Sequence, residues 1–516
     1  MTAPHTPAAA TEARLLTTTD PRSGARRATA IAVTSDASVA ATAARAASAF
    51  CELRERPRTW RAGLLRALAD ALEADREALV DTAAAETGLT AARLDGELAR
   101  SAFQFRLFAD AVAEGGYLEA IIDHAGPTPL GPGPDVRRML VPIGPVAVFG
   151  SSNFPFAFSV PGGDTASALA AGNPVVLKAH SSHPLTSQRA FTVLAAAADA
   201  HGAPHGTLGI VYGQAAGAAL VADPAIAAVG FTGSLSTGRI LEQIIAGRET
   251  PIPFYGELSS VNPLVITDGA AAARSGEIAE GLFASVTGSA GQLCTKPGIA
   301  FIPRGPAGDA LVEGVVARAR AADAQTVLNG RIHGAFEQIR SRLVSDGRAR
   351  SLVAPRAGGE GFSLTPAVLT IDAADATAAV AEEAFGPLIV IVRYGSIDEV
   401  GAALRAVPHS LTATIHSEPG ETEHRRALTA AVTDLAGRIV YNGYPTGVRV
   451  SWAMHHGGPW PATNTLHTSV GVTAIRRFLR PLAWQDAPAG VLPAELRDGP
   501  ADLPRRVDGV LRLAGA

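Results

Sequence analysis

Cysteine is nearly absent: Cys51 and Cys294 are the only two in 516 residues. A disulfide framework is excluded as the organising device, and attention turns to what a single thiol can do. Aromatic residues make up 5% of the chain, and 44 Lys and Arg stand against 48 Asp and Glu, so no basic stripe is present to track a phosphate backbone. Nucleic acid is excluded as a partner on that balance. Long apolar runs are missing too. Stretches such as Val146–Gly150 and Ile389–Val392 fall far short of the roughly 20 residues that span a bilayer. Residues 1–28 lack the apolar core of a secretory signal. The expectation is a cytoplasmic protein with no membrane partner.

What is present reads as a packed chain of two to four domains, 47% hydrophobic, with 53 Gly and 35 Pro. Leu65, Leu68 and Leu72 recur at helical spacing, predicting an amphipathic helix from Arg61 with more helix on to Thr82. From Val146 short aliphatic runs alternate with Ala-rich helical ones: Val146–Phe149, Val175–Leu177, Gly209–Tyr212, Val229–Thr232 and Leu264–Ile266. That alternation predicts βαβ units around a buried parallel sheet. Ala300–Ile302, Leu388–Val392 and Ile439–Tyr441, with the helical stretch Asp309–Ala322 among them, predict a second α/β layer. Gly126–Pro134 reads as a linker or hairpin, and the Pro-rich stretch after Pro488 as a tail.

Chemistry concentrates in a few loops. Cys294 lies in Gly288-Ser-Ala-Gly-Gln-Leu-Cys294-Thr-Lys-Pro-Gly298, where free backbone amides and a following Lys suit a thiolate nucleophile, an inert thiol being the alternative. Glu257 precedes a predicted strand among uncharged neighbours, a setting expected to raise its carboxyl toward working pH and make it a base. Asn153 follows the strand Val146–Phe149 and is a candidate oxyanion donor. The dinucleotide fingerprint Gly-x-Gly-x-x-Gly is missing, leaving two looser turns, Gly213 to Gly217 and Gly233-Ser234 to Gly238, and Lys178 at the end of an apolar strand. His201 and His205 have Pro204 between them, and His455 and His456 are adjacent, so no metal site is expected. A cysteine hydrolase using His455 or His456, or an inactive binding protein, remains as an alternative.

Taken in order, these motifs resemble the aldehyde dehydrogenase superfamily over roughly Pro57 to Gln485. Gly150-Ser-Ser-Asn153-Phe-Pro is similar to that family's oxyanion motif, Leu177-Lys178 to its cofactor lysine, Phe231-Thr-Gly233-Ser234 to its phosphate turn, Gly291-Gln-Leu-Cys294 to its nucleophile loop and Glu382-Glu383-Ala-Phe385-Gly-Pro387 to its ribose motif. Segments such as Phe158 to Pro174, Lys178 to Pro184 and His456 to Thr463 resemble 2-oxoglutarate semialdehyde dehydrogenases and NADP-dependent fatty aldehyde dehydrogenases. Ser259, Leu293, Arg449 and Trp452 depart from those patterns.

The resemblance implies a Rossmann-type cofactor domain (residues 1–122 and 144–256), an α/β catalytic domain (257–448), bridging segments with a small β oligomerisation hairpin (123–143 and 478–500) and a tail (501–516). It implies a homodimer or homotetramer that oxidises an aldehyde through a thiohemiacetal and thioester on Cys294. Asn153 and the Cys294 N–H would hold the oxyanion and Glu257 would activate water. Lys178, His180, Ser181, Gly213, Gly217, Phe231, Gly233, Ser234, Gly238, Glu383 and Phe385 would hold the cofactor, and Phe154, Phe156, Leu293, Thr295 and Arg449 the substrate. Ser181, where many NAD-using relatives carry Glu, leads us to expect NADP, with NAD as the alternative. The expected substrate is 2-oxoglutarate semialdehyde, with Arg449 near its carboxylate, or else a medium or long aliphatic aldehyde.

Overall fold

Leucine spacing sets the first helices. Arg58–Ala74 buries Leu65, Leu68 and Leu72 completely, and after a break at Asp75 the chain continues as helix Arg76–Thr87. The expected helical stretch is thus two pieces. Truncating one of these leucines to Ala costs about 2–5 kcal/mol. Helix Ala91–Glu114, capped by the Thr90 hydroxyl, packs along Arg58–Ala74 and carries Arg93, Glu97 and Arg100 at i, i+4 and i+7, one face of the helix. This computed structural model describes residues 14–356, 359–378 and 380–515. The first thirteen residues, over which the expectations for the N-terminus and for the 1–122 segment partly run, lie outside them, as does Ala516 of the expected tail.

Five short parallel strands form the first sheet, in the order Phe254–Glu257, Ala228–Thr232, Val146–Phe149, Val175–Lys178, Leu208–Val211. Numbered along the chain this order is 3-2-1-4-5 read from the far edge, the mononucleotide-binding arrangement, and its direction reverses between Val146–Phe149 and Ala228–Thr232. Ligands gather at the carboxyl ends of the strands flanking such a reversal. Asn153 follows one of these two strands, and Gly233 and Ser234 follow the other.

The second sheet has seven strands: Arg350–Val353, Ala367–Asp372, Leu388–Tyr394, Ile299–Pro303, Leu264–Ile266, Ser410–His416 and Ala436–Tyr441, all parallel but for the first. Leu264–Ile266, read from sequence with the first series, is therefore a central strand of the second sheet. Sequence order alone does not reveal that the chain leaves the first sheet at Glu257. A third, five-stranded sheet joins Leu479–Gln485, Val136–Pro142, Ala120–Asp123, Arg505–Val507 and Val510–Arg512. Gly126–Thr128 and Gly131–Gly133 pair as a separate hairpin. The segment expected as a tail thus supplies two strands. Arg505 holds them down by donating to the Arg497 carbonyl at 2.6 Å. Among the described residues no helix is long and apolar enough to cross a membrane.

Candidate active site

The nucleophile loop begins where helix Asp268–Thr287 ends at Gly288. Backbone φ is positive at Ser289, Ala290 and Gly291, and a Cβ on Gly291 would lie 2.2 Å from the carbonyl carbon of Gly386. Only glycine lets this loop rest on the segment Glu382–Pro387. Asn262 then clamps it, its Nδ2 donating to the carbonyls of Cys294 (2.8 Å) and Lys296 (3.0 Å). Held this way, Cys294 Sγ lies 3.5 Å from His456 Nε2, which lies 3.1 Å from Glu257 Oε1. Ser469 Oγ donates to Glu257 Oε2 at 2.7 Å. The donor atoms of Cys294, Glu257 and His456 all fall within 4.8 Å of one another.

Two electrostatic expectations are overturned. The uncharged neighbours of Glu257 in sequence predict a raised carboxyl. Burial does push it up, but the charge of His456 and hydrogen bonds from His456, Ser469 and Cys294 outweigh burial and hold it below the usual range. The lysine after the nucleophile was expected to lower the thiol. Instead Lys296 Nζ is buried, donates to the Ala384 and Leu388 carbonyls at 3.0 and 2.9 Å, and is itself pushed down to about 8 by burial. Burial and the neighbouring Glu257 carboxylate push the Cys294 thiol well above its ordinary value, with Arg100 opposing them. The resting cysteine is therefore a thiol beside a carboxylate.

Asn153 is buried with its Nδ2 donating to the Gln292 carbonyl at 2.9 Å, two residues before the nucleophile. One amide hydrogen remains free for another acceptor. The Cys294 backbone N–H donates to no group among the described residues. Arg93 braces both loops, bonding to Ser289 Oγ (3.1 Å) and the Asn153 carbonyl (3.2 Å) while paired with Glu97. Phe154 and Phe158 are half-buried, their rings 5.2 Å apart, and Leu293 is half-buried beside Cys294. Phe156, expected in the channel, is instead completely buried in the core because Glu97 Oε1 captures its backbone N–H and that of Ala157. Thr295 is also buried, whereas Arg449 and Trp452 are exposed.

Residues expected at the cofactor lie along the carboxyl end of the first sheet. Lys178 ends its strand with an ammonium that burial, then the charge of Arg331, push down to about 8. It makes no hydrogen bond to another described residue. Gly217 lies against it, since a Cβ there would meet Phe149 and Lys178 at 3.1 and 3.3 Å. Gly213 caps helix Gln214–Ala222. Ser234 caps helix Leu235–Ala246, and a Cβ on Gly233 would strike the Phe231 ring at 2.6 Å. Gly238, in the same helix, allows close contact with Leu258, the residue after Glu257. His180 is half-buried against His183 and accepts from the Ser182 N–H, and Ser181 is exposed. Glu383 accepts from Ser259 Oγ at 2.8 Å and is pushed up to about 7 by burial, while Phe385 packs half-buried beside it. The Ser259 departure is thereby given a partner.

Sequence reasoning weighed His456 as a metal ligand and as a hydrolase base but not as the partner of Glu257, and it gave Ser469 and Arg100 no role in the site. The i, i+4, i+7 series Arg93, Glu97, Arg100 on a long helix was the available signal for Arg100.

A doubly wound nucleotide-type sheet meeting a second α/β sheet where a half-buried cysteine, a buried carboxylate and a buried amide converge is the architecture of an α/β enzyme. The chain belongs to the aldehyde dehydrogenase family, whose profile matches residues 8–460. It is 45% identical over 473 residues to "Alpha-ketoglutaric semialdehyde dehydrogenase 2" of Azospirillum brasilense, covering 90% of each chain. It is 39% identical over 470 residues to the alpha-ketoglutaric semialdehyde dehydrogenase of Acinetobacter baylyi, covering 90% of this chain and 89% of that one. In fold it resembles a 1-pyrroline-5-carboxylate dehydrogenase from Thermus with bound NAD, with a TM-score of 0.79, 22% identity and coverage of 92% of this chain and 90% of that one.

Proposed function

We propose that this protein oxidises 2-oxoglutarate semialdehyde to 2-oxoglutarate with a nicotinamide dinucleotide, NADP in preference to NAD. The observation that carries the chemistry is the buried contact series from Cys294 Sγ through His456 Nε2 to Glu257 Oε1, at 3.5 and 3.1 Å. The substrate rests on the 45% and 39% identical relatives and their names. In this reading Cys294 gives its proton to the Glu257 carboxylate, which passes it on to solvent, and the thiolate attacks the aldehyde carbon. The free Asn153 amide hydrogen and the Cys294 N–H receive the developing oxyanion. Once a thioester has formed on Cys294, Glu257, ionised again, takes a proton from water, and the resulting hydroxide attacks the acyl carbon and releases the acid and the Cys294 thiolate.

The chain fits a dinucleotide at the strand reversal, since the half-buried Lys178 ammonium has no anion among the described residues and Ser234 and Gly233 open a helix N-terminus at the same carboxyl end of the sheet. When bound, that cofactor supplies the hydride acceptor. Gly213 and Gly217, with Phe231 beneath Gly233 and Gly238 behind it, shape the groove, and Glu383 beside Phe385 would accept from the ribose hydroxyls. Among the described residues the one charge bearing on Lys178 is positive, Arg331, and Ser181, three residues on, is neutral and exposed with His180 beside it. That supports a 2′-phosphate.

Domain limits at residues 1–122 with 144–256, 257–448, 123–143 with 478–500, and 501–516 follow the same reading. The exposed apolar Leu130, Val510 and Leu511 on the hairpin and third sheet support a homodimer or homotetramer. The unpaired Cys51 and Cys294 agree with a reducing, cytoplasmic setting. The half-buried pair Phe154 and Phe158 with Leu293 favours a second reading, a longer aliphatic aldehyde. An aldehyde panel with and without a distal carboxylate, followed by reduced-nicotinamide absorbance with NADP and with NAD, tests both. The highest kcat/KM is expected for 2-oxoglutarate semialdehyde with NADP. A steady gain with chain length displaces the substrate, and a higher kcat/KM with NAD displaces the cofactor.

A further inference from the structure

Helix Ala91–Glu114 directs two arginines at the active-site loops, and they differ in how they are satisfied. Arg93 is spent: Glu97, Ser289 and the Asn153 carbonyl take its nitrogens. Arg100, two turns further on, has no ion-pair or hydrogen-bond partner among the described residues, although its Nε and Nη2 are fully shut away from solvent. What holds it is aromatic. Its Cζ stands 5.1 Å over the Phe158 ring and 5.8 Å over the Phe154 ring. Phe158 in turn stands 6.2 Å from the His456 ring, whose Nε2 is 3.5 Å from Cys294 Sγ. Donors shut from solvent without hydrogen-bond partners, as Nε and Nη2 of this half-buried guanidinium are, carry a cost that an anion would remove. The flanking rings tolerate the cation but satisfy none of its N–H groups.

We propose that Arg100 is the specificity-determining residue that receives the distal carboxylate of the aldehyde substrate, with Phe154 and Phe158 walling the carbon chain that links this carboxylate to the carbonyl at Cys294. Arg449, the sequence candidate, is exposed. The fork of Arg100 matches a carboxylate in two hydrogen bonds and discriminates against an aldehyde ending in methyl, because the guanidinium is then left unpaired. The assignment rests on the semialdehyde reading above, and the experiment separates the two.

Wild type, Arg100→Leu and Arg100→Lys are assayed with 2-oxoglutarate semialdehyde, with 5-oxopentanoate and with pentanal, after circular dichroism and thermal melting establish that each variant is folded. Expected is a wild-type preference for the two carboxylate substrates that collapses by about 10²-fold as a kcat/KM ratio in Arg100→Leu, chiefly through KM, and is partly restored in Arg100→Lys, which keeps charge but not the fork. A preference that survives Arg100→Leu overturns the assignment of Arg100 and leaves the semialdehyde reading standing. No wild-type preference overturns the semialdehyde reading and this inference with it. Equal losses on pentanal and the carboxylates in folded variants overturn the inference alone, marking Arg100 as a brace for Phe154 and Phe158.

Discussion

Replacing His456 gives the most informative pH experiment. Glu257 is 3% exposed, and its carboxyl stays below the usual range because His456 and Ser469 offset the cost of burial. His456→Phe fills the space and removes both the charge and the 3.1 Å hydrogen bond. Losing a hydrogen bond to a charged group costs about 1.5–3 kcal/mol, which is about one to two pK units at 1.36 kcal/mol per unit. The carboxyl then rises, so a larger share is protonated and unable to take a proton from water toward acid pH. The acid limb of kcat should therefore move up by about one to two units, with a loss greatest at the acid end of the range and fading as pH rises. His456→Gln keeps a neutral donor and should move the limb about half as far. The assay is kcat between pH 5 and pH 9 by reduced-nicotinamide absorbance. An acid limb coincident with wild type, or a loss uniform across pH, refutes the reasoning.

Cys294→Ala should abolish dehydrogenase turnover, and full activity in that variant would remove the nucleophile. Because burial and the Glu257 carboxylate raise the Cys294 thiol, its alkylation by iodoacetamide in cofactor-free enzyme should still be rising at pH 9, and a plateau near pH 7 would contradict the raised thiol. Asn153→Ala should lower kcat by about 10²–10³-fold, as for loss of one oxyanion donor, and a change under threefold would dismiss its role. Gly291→Ala places a Cβ 2.2 Å from Gly386 in a left-handed backbone, so its thermal midpoint should fall by several degrees, an unchanged midpoint speaking against the tight loop contact.

Much of the fold was legible because buried parallel strands read as short apolar runs: Val146–Phe149 and Leu264–Ile266 are the observed strands to the residue. Which sheet Leu264–Ile266 joins was not legible, because sheet order is a long-range property and the crossover after Glu257 carries no local mark. The strand Arg505–Val507 was hidden by its Pro-rich surroundings, its pairing with Ala120–Asp123 spanning most of the chain. In the site, Cys294, Glu257 and Asn153 announced themselves through their loops. The sign of the Glu257 shift did not, because its cause, His456, lies 199 residues away. Phe156 looked like its neighbours Phe154 and Phe158, and only the capture of its amide by Glu97 turns it inward.

The central claim is that Cys294 carries the acyl group of a carboxylate-bearing aldehyde. Glu257→Gln removes the group assigned to deacylation and to taking the thiol proton, so incubating it with 2-oxoglutarate semialdehyde and NADP at alkaline pH, where the thiol ionises to solvent, should trap the thioester. Peptide mass spectrometry after acid quench should find the 2-oxoglutaryl group on the peptide bearing Cys294 and unmodified Cys51. An acyl group absent from Cys294 despite a burst of reduced nicotinamide would contradict the account.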